Sequence, residues 1–431
     1  MKRVFTFATL ILIMAYTNLF SIENEIVLGP NYENDVWFSL TDGIVKEEPT
    51  NNWDIGFQTY LSQNAGIIIN SAKGVMLYVV EGSDGDSWDN PVDTNGMSSS
   101  WVKGYNSIET WNVGAFNLGK EGFETGGDYG WGSYNMATHA IAGNKVFIIK
   151  LNNTTFKKIM IESLLSGVYT FLVANLDGSN EASVKVKKSD YLNNLYAYVD
   201  LSDNSIIGRE PAFVSWDLVF SKYTDLIDMG DGSFAAYTVT GVRTHPLQRT
   251  AVVTGVPTNQ AYAPIINDMN YSTVITSIGS SWKKYNSSTS SYSIVDSVSY
   301  FVTLDMNNEI NPNISKIVFK SFEGSSTGKI VFDLSGNETT VNEDLLKSLN
   351  VFPSIVDKSS NVNIDLGDYK NQSLKTIKLF NTAGNLVKNI SSLQDFSAGK
   401  FDISLEELSS GMYYMVFEFE NTNLMKKIIV K

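Results

Sequence analysis

The sequence predicts an all-β fold, and three observations predict it. Short runs rich in β-branched and aromatic residues, such as Val146–Leu151, Val168–Val173 and Gly411–Phe419, recur along the chain. Clusters of Gly, Asn, Asp and Ser separate them, and 32 Gly against 9 Pro favour tight turns over extended linkers. Helical spacing is confined to short stretches around Phe156–Leu165 and Asn342–Ser348. The 431 residues are roughly two to three times an ordinary domain. With 43 % hydrophobic residues, several folded units with cores of their own are expected.

The first element is a targeting segment, residues 1–21. Lys2 and Arg3 form a positive start, Val4 to Phe20 is almost wholly apolar, and Leu19-Phe20-Ser21 offers a cleavage site before Glu23 and Glu25, so the mature chain is expected to begin near Ile22. No later run approaches the roughly 20 apolar residues of a membrane-spanning helix. No Cys follows the apolar stretch to carry a lipid anchor.

Next come two tandem copies. Trp53-Asp54-x-x-Phe57-x-x-Tyr60 recurs as Trp216-Asp217-x-x-Phe220-x-x-Tyr223, after extended stretches ending Leu40-Thr-Asp-Gly43 and Leu201-Ser-Asp-Asn204. Trp131-x-x-Tyr134 echoes Trp282-x-x-Tyr285, Lys158–Ser163 echoes Lys316–Ser321, and Gly167–Phe171 echoes Gly328–Phe332. The order is kept while the offset drifts, as loop-length differences produce. The expected organisation is two similar β domains at 22–185 and 190–336, a linker at 337–348, and a third unit at 349–431. Strand runs in that third unit, from Val362–Leu366 to Leu424–Val430, have the spacing of a small immunoglobulin-like β-sandwich.

Composition narrows the chemistry. Zero Cys excludes disulfides, thiolate nucleophiles and Cys-ligated zinc, and two His leave little imidazole for zinc or acid–base work. The balance of 32 Lys+Arg against 46 Asp+Glu, a net −14, gives no basic footprint for nucleic acid. Gly324-x-Ser326-x-Gly328 matches a nucleophile elbow by letters, but a strand follows where a helix is required, so it reads as a hairpin turn. Asp54 and Asp217 have no second carboxylate or His close in sequence, which favours a structural role over general-base work. Asp84-Gly-Asp86-Ser-Trp-Asp89-Asn-Pro-Val-Asp93 has the oxygen density calcium favours but lacks the Gly and distal Glu of an EF-hand. A solvated acidic loop is the simpler reading, and an enzyme is not expected.

The third unit resembles the type A C-terminal sorting domain of the type IX secretion system of Bacteroidetes. Five blocks carry the resemblance in order: Val351-Phe-Pro353, Ile377–Val387, Ile403-Ser-Leu405, Leu408–Tyr413 and Lys426–Val430. Pro353-Ser-Ile stands where that family usually has Pro-Asn-Pro. The resemblance implies the type IX machinery as a partner, passage through the outer membrane, and surface attachment or release.

The repeated unit resembles the HmuY family of haem-binding proteins. Copy one carries this in Val36–Val45, Asn52–Phe57, Asn144–Ile149, Lys158-Ile159 and Gly167–Phe171. Copy two keeps Trp216–Phe220, Tyr300–Val302, Lys316-Ile317 and Gly328–Phe332. The implied ligand is haem or a haemoprotein. Haem needs an apolar slot and an axial donor, and the aromatic, glycine-rich stretch from Trp88 to His139 could supply both, with Met136 and His139 as candidate axial ligands. Founding-type members use two His within one domain, whereas this chain has one per copy, His139 and His245, so bis-His ligation within a copy is excluded. The alternative is a non-catalytic surface adhesion or ligand-binding module that does not bind haem.

Overall fold

The computed structural model describes residues 21–431 apart from 62, 98, 230–233, 265–268, 304–312, 337–348, 359, 368–373, 382–385, 392–398 and 420–422. The expected linker at 337–348, and the targeting segment at 1–21 apart from Ser21, lie outside the described residues.

The described chain is β throughout, with only short 3-10 turns. An N-terminal segment carries β1 (Ile22–Val27), β2 (Asn34–Ser39) and β3 (Gly43–Pro49). Then follow β4 (Ile55–Gln58), β5 (Ile67–Ile69), β6 (Met76–Val79), β7 (Lys103–Gly104), β8 (Gly132–Asn135), β9 (Ala140–Gly143), β10 (Phe147–Lys150), β11 (Phe156–Leu165) and β12 (Val168–Ala174). β13 (Ala182–Lys187) runs across the end of the first copy, and the second contributes β14 (Tyr196–Asp200), β15 (Ser205–Ile207), β16 (Leu218–Asp228), β17 (Phe234–Thr244), β18 (Arg249–Thr254), β19 (Lys283–Asn286), β20 (Ser291–Ile294), β21 (Val298–Thr303), β22 (Ser315–Phe322) and β23 (Lys329–Ser335). The tail holds β24 (Asn350–Phe352), β25 (Ile355–Val356), β26 (Asn361–Asp365), β27 (Leu374–Asn381), β28 (Leu386–Ser391), β29 (Lys400–Ser404), β30 (Gly411–Phe419) and β31 (Asn423–Val430).

Phe156–Leu165, whose spacing looked helical, is strand β11. It is hydrogen-bonded to β10 and β9 on one side and β12 on the other, with Lys158–Ile161 buried. A strand buried on both faces loses the alternation that identifies strands, so its spacing is uninformative.

Two sandwiches form the body, and strand pairing crosses the boundary between the sequence copies. In unit I, sheet β15-β14-β4-β5 packs on sheet β13-β12-β11-β10-β6-β7, around a core including Phe57, Phe116, Phe147, Tyr169 and Phe171. In unit II, sheet β17-β16-β2-β3 packs on β1-β23-β22-β21-β18, around Phe38, Phe220, Phe319 and Phe332. Thus β1 to β3 of copy one complete unit II, and β14 and β15 of copy two complete unit I. The registers correspond. Val199 and Tyr198 face Ile55 and Gly56 in unit I, as Phe38 and Trp37 face Leu218 and Val219 in unit II. The cores correspond too: Phe57 stacks on Phe171 at 5.1 Å and 22°, and Phe220 on Phe332 at 5.6 Å and 20°.

The folded units therefore differ from the expected 22–185 and 190–336: copy one lends β1 to β3 to unit II, and copy two lends β14 and β15 to unit I. Connection geometry gives the reason. Were β2 to pair with β4 of its own copy, β3 and β4 would lie parallel in one sheet, which takes a crossover of about a dozen residues or more. Only Thr50 to Asp54 separates β3 from β4, and Gly208 to Asp217 separates β15 from β16.

The tail is a separate sandwich of sheets β24-β26-β29 and β25-β31-β30-β27-β28. Alternate residues of β30, Tyr413, Met415, Phe417 and Phe419, point into its core with Ile377, Leu379 and Ile428.

Candidate ligand site at the junction of the two units

The exchanged hairpins bring aromatic side chains together between the units. Trp53 and Trp216, one just before each repeat aspartate, join Trp37, Trp111, Tyr196, Tyr198, Phe213 and Ile275 in one buried cluster. The loop holding Trp111 crosses from unit I to unit II. Its indole N–H donates to Thr244 O at 2.8 Å, and Ile275 N–H donates to Glu109 O at 3.0 Å. Gly114 lets that loop lie against β5, because a Cβ there would sit 2.0 Å from Ile67 O.

Two arginines penetrate this cluster. Arg209, 2 % exposed, pairs with Asp35 at 2.9 Å, donates to Pro49 O at 2.9 Å, and lies over Trp37, Trp53 and Tyr198 at 5.1 to 5.8 Å. Arg243 on β17 lies over Trp111 at 4.6 Å and Tyr223 at 5.4 Å, and donates to Ser221 Oγ at 3.1 Å. Burial pushes its guanidinium down from the ordinary arginine range. Burial also pushes the Glu210 carboxyl up, against the hydrogen bonds it accepts from the Tyr198 hydroxyl and from Leu195 and Tyr196 N–H.

Two recesses open at this junction. The inner one, about 50 Å³, is lined by Asp35, Trp53, Trp111, Arg209, Trp216, Lys222, Tyr223 and Arg243 among others. An outer one of about 380 Å³ lies between Met76, Leu77, Lys103 and Tyr105 of unit I and Thr224, Ala236 and Thr238 of unit II. Ile69, Ser71, Asn106 and Thr224 are shared by the two linings. The outer recess has the size and mainly apolar side chains of a small-molecule site; half-exposed Met76 is among its lining, its sulfur accepting the Tyr78 hydroxyl at 3.4 Å.

Met136 and His139 are elsewhere. Both sit in the turn joining β8 to β9 of unit I, Met136 81 % exposed and His139 exposed with φ 54°. His139 Nδ1 is 2.8 Å from the Tyr134 hydroxyl, and Tyr134 lies beside Phe123, an exposed ring. No apolar slot encloses them among the described residues. The aromatic stretch before them is largely structural instead, with Trp131 and Phe116 fully buried in the core of unit I. His245 is also buried, 3 % exposed, between Phe213 and Trp216 with ring centroids at 4.3 and 4.5 Å.

The other motifs resolve into structure. Asp54 Oδ2 accepts Leu201 N–H at 2.9 Å while Oδ1 meets Lys73 at 2.8 Å, and Asp217 accepts Leu40 N–H and Gln248 Nε2 in the same manner. Each aspartate pins a hairpin lent by the other copy. Gly324–Ser326 is a 3-10 turn between β22 and β23. Asp84 caps the turn Gly85–Asp89, and no group of three or more metal-ligating side chains is found among the described residues. Tyr105 lies in the Trp88–His139 stretch that the sequence offered as a slot, but Arg209, Arg243 and Met76 were not legible as site residues: single arginines and a lone Met carry no spacing signal, and the exchange that assembles them is invisible in sequence.

Residues 350–431 match the family described as the secretion system C-terminal sorting domain. The chain thus ends in a type IX sorting domain, and the protein is exported across the inner membrane to the outer-membrane surface or the extracellular space. No helix among the described residues is long and apolar enough to cross a membrane. No curated protein matches the chain. Among solved structures, the crystal structure of dimeric latent PorU from Porphyromonas gingivalis is similar at 10 % identity and a TM-score of 0.16 over 95 % of this chain. The chain spans about a third of that structure's length, 34 %, and a likeness at this level carries no argument about fold or activity.

Proposed function

We propose that the body is a non-catalytic ligand-binding module, presented at the cell surface or released, whose ligand lies in the outer recess between the two units. One observation carries the reading: the exchange of strands builds a recess of about 380 Å³ walled by Met76, Leu77 and Tyr105 across from β17. Haem is the ligand that resemblance to the HmuY family suggests. The thioether of Met76 and the phenol of Tyr105 are donors of the kinds haem iron accepts, and a sulfur donor favours ferrous iron.

Haemin titration of the full mature chain, oxidised and reduced, tests this. A Soret shift lost in Met76→Ala or Tyr105→Phe, and kept in Met136→Ala and His139→Ala, supports haem in the outer recess. Loss in the latter pair instead returns the ligand to the β8–β9 turn. No Soret shift in either redox state removes haem and leaves the alternative of a non-haem adhesion or ligand-binding module, which the exposed, unenclosed setting of Met136 and His139 favours.

A further inference from the structure

The inner recess has a charge imbalance. Three cations, Arg209, Arg243 and Lys222, and two carboxylates, Asp35 and Glu210, line it. Asp35 is taken by Arg209 at 2.9 Å and by the Thr50 hydroxyl at 3.3 Å. Glu210 is taken by the Tyr198 hydroxyl and two backbone N–H groups. Lys222 donates to Asn31 O at 3.1 Å. Arg243 is left with one hydroxyl, two aromatic faces and no carboxylate in direct contact; Asp35 acts on it only from a distance, and its Nε is buried without a partner. Stacking on rings offsets only part of the cost of a desolvated cation.

The other unpartnered polar atoms on residues lining this recess can all donate: two indole N–H groups and the Tyr223 hydroxyl, which can also accept. The indole N–H groups of Trp53 and Trp216, residues 8 % and 3 % exposed, have no acceptor. An indole and a guanidinium can only donate. Unpaired donors around a space of about 50 Å³, enough for a few waters, suit a compact acceptor.

We propose that the inner recess is an anion site, in which Arg243 holds a small monovalent anion of carboxylate type at the junction of the two units. The site goes beyond the proposed function and does not depend on what the outer recess holds. Its effect is to supply Arg243 with the direct ion pair that Asp35 gives Arg209.

Four of the eight tryptophans line the recess, so intrinsic fluorescence reports on it. The full mature chain is titrated with sodium formate, with ionic strength held by bulkier methanesulfonate. A saturable fluorescence change is expected, at least tenfold weaker in Arg243→Lys, absent in Arg243→Gln, and unaltered in Met76→Ala. Should Arg243→Gln fail to fold, the Arg243→Lys titration decides alone. No saturable change in the wild type, or wild-type affinity in either Arg243 variant, overturns the proposal. Haemin binding is read separately, so failure of the outer-recess reading leaves this result intact.

Discussion

The carboxylate of Asp217 accepts the backbone N–H of Leu40 at 2.7 Å, across 177 residues of sequence. Asp54 and Leu201 repeat the bond at 2.9 Å across 147. Each aspartate fastens the turn of a hairpin that belongs to the other copy. Removing a charged acceptor, buried in Asp54 and half-buried in Asp217, strands at least one N–H, so Asp217→Ala and Asp54→Ala should each lower unfolding free energy by about 2 kcal/mol. Urea denaturation with an unchanged slope checks this. A loss below about 0.5 kcal/mol in both would show that the bonds do not hold the hairpins.

Exchange makes the two copies inseparable without covalent continuity. A protease site placed at Asp177-Gly178, in the loop between β12 and β13, cuts the chain near the end of copy one, ahead of the exchanged β14–β15 hairpin. Both fragments should still co-elute on native size exclusion while separating on a denaturing gel. Fragments that part under native conditions would contradict the pairing of β2 with β16 and β4 with β14.

Arg209 and Asp35 form a buried ion pair, with side chains 2 % and 8 % exposed. Arg209→Ala leaves Asp35 without its partner inside the junction and should cost about 3–5 kcal/mol. Replacing both, Arg209→Met with Asp35→Leu, should recover most of that loss, and a double-mutant cycle measures how much.

His245 makes stability depend on pH. Burial between Phe213 and Trp216 lowers its pKa to about 4, against about 6.5 for an unfolded chain. The unfolded state then binds the proton first on acidification. Stability from the neutral ring is full above pH about 6.5 and is lost as pH falls towards 4, with a slope of up to about 1.4 kcal/mol per pH unit. His245→Gln should flatten this part of the profile. An identical profile in the variant would assign the pH dependence to other groups.

The strands and the repeat anchors were readable because both rest on local pattern. Alternation along β30 shows as Tyr413, Met415, Phe417 and Phe419 in sequence, and Trp53 and Trp216 recur at matched places. The exchange was not readable, for a physical reason. Two similar hairpins present similar side chains to β4 and β16, so pairing preference does not discriminate between partners and only the brevity of the Thr50–Asp54 link does. Site reading failed in the same way. Composition placed Met136 and His139 next to many aromatic residues, but Trp131 and Phe116 turn inward while Met136 points to solvent.

The pairing of β1 with β23 sets how the body answers a pull. Ile22 lies opposite Leu334, so the first strand and the segment leading to the sorting tail leave the sheet at the same end. A load applied between them meets the six paired residues one after another, as a zip does, rather than in shear together. A molecule moored by its tail and tugged at its first strand would give way there first. Freeing β1 uncovers β23 and leaves the exchanged β2 and β3, with the junction they build, in place.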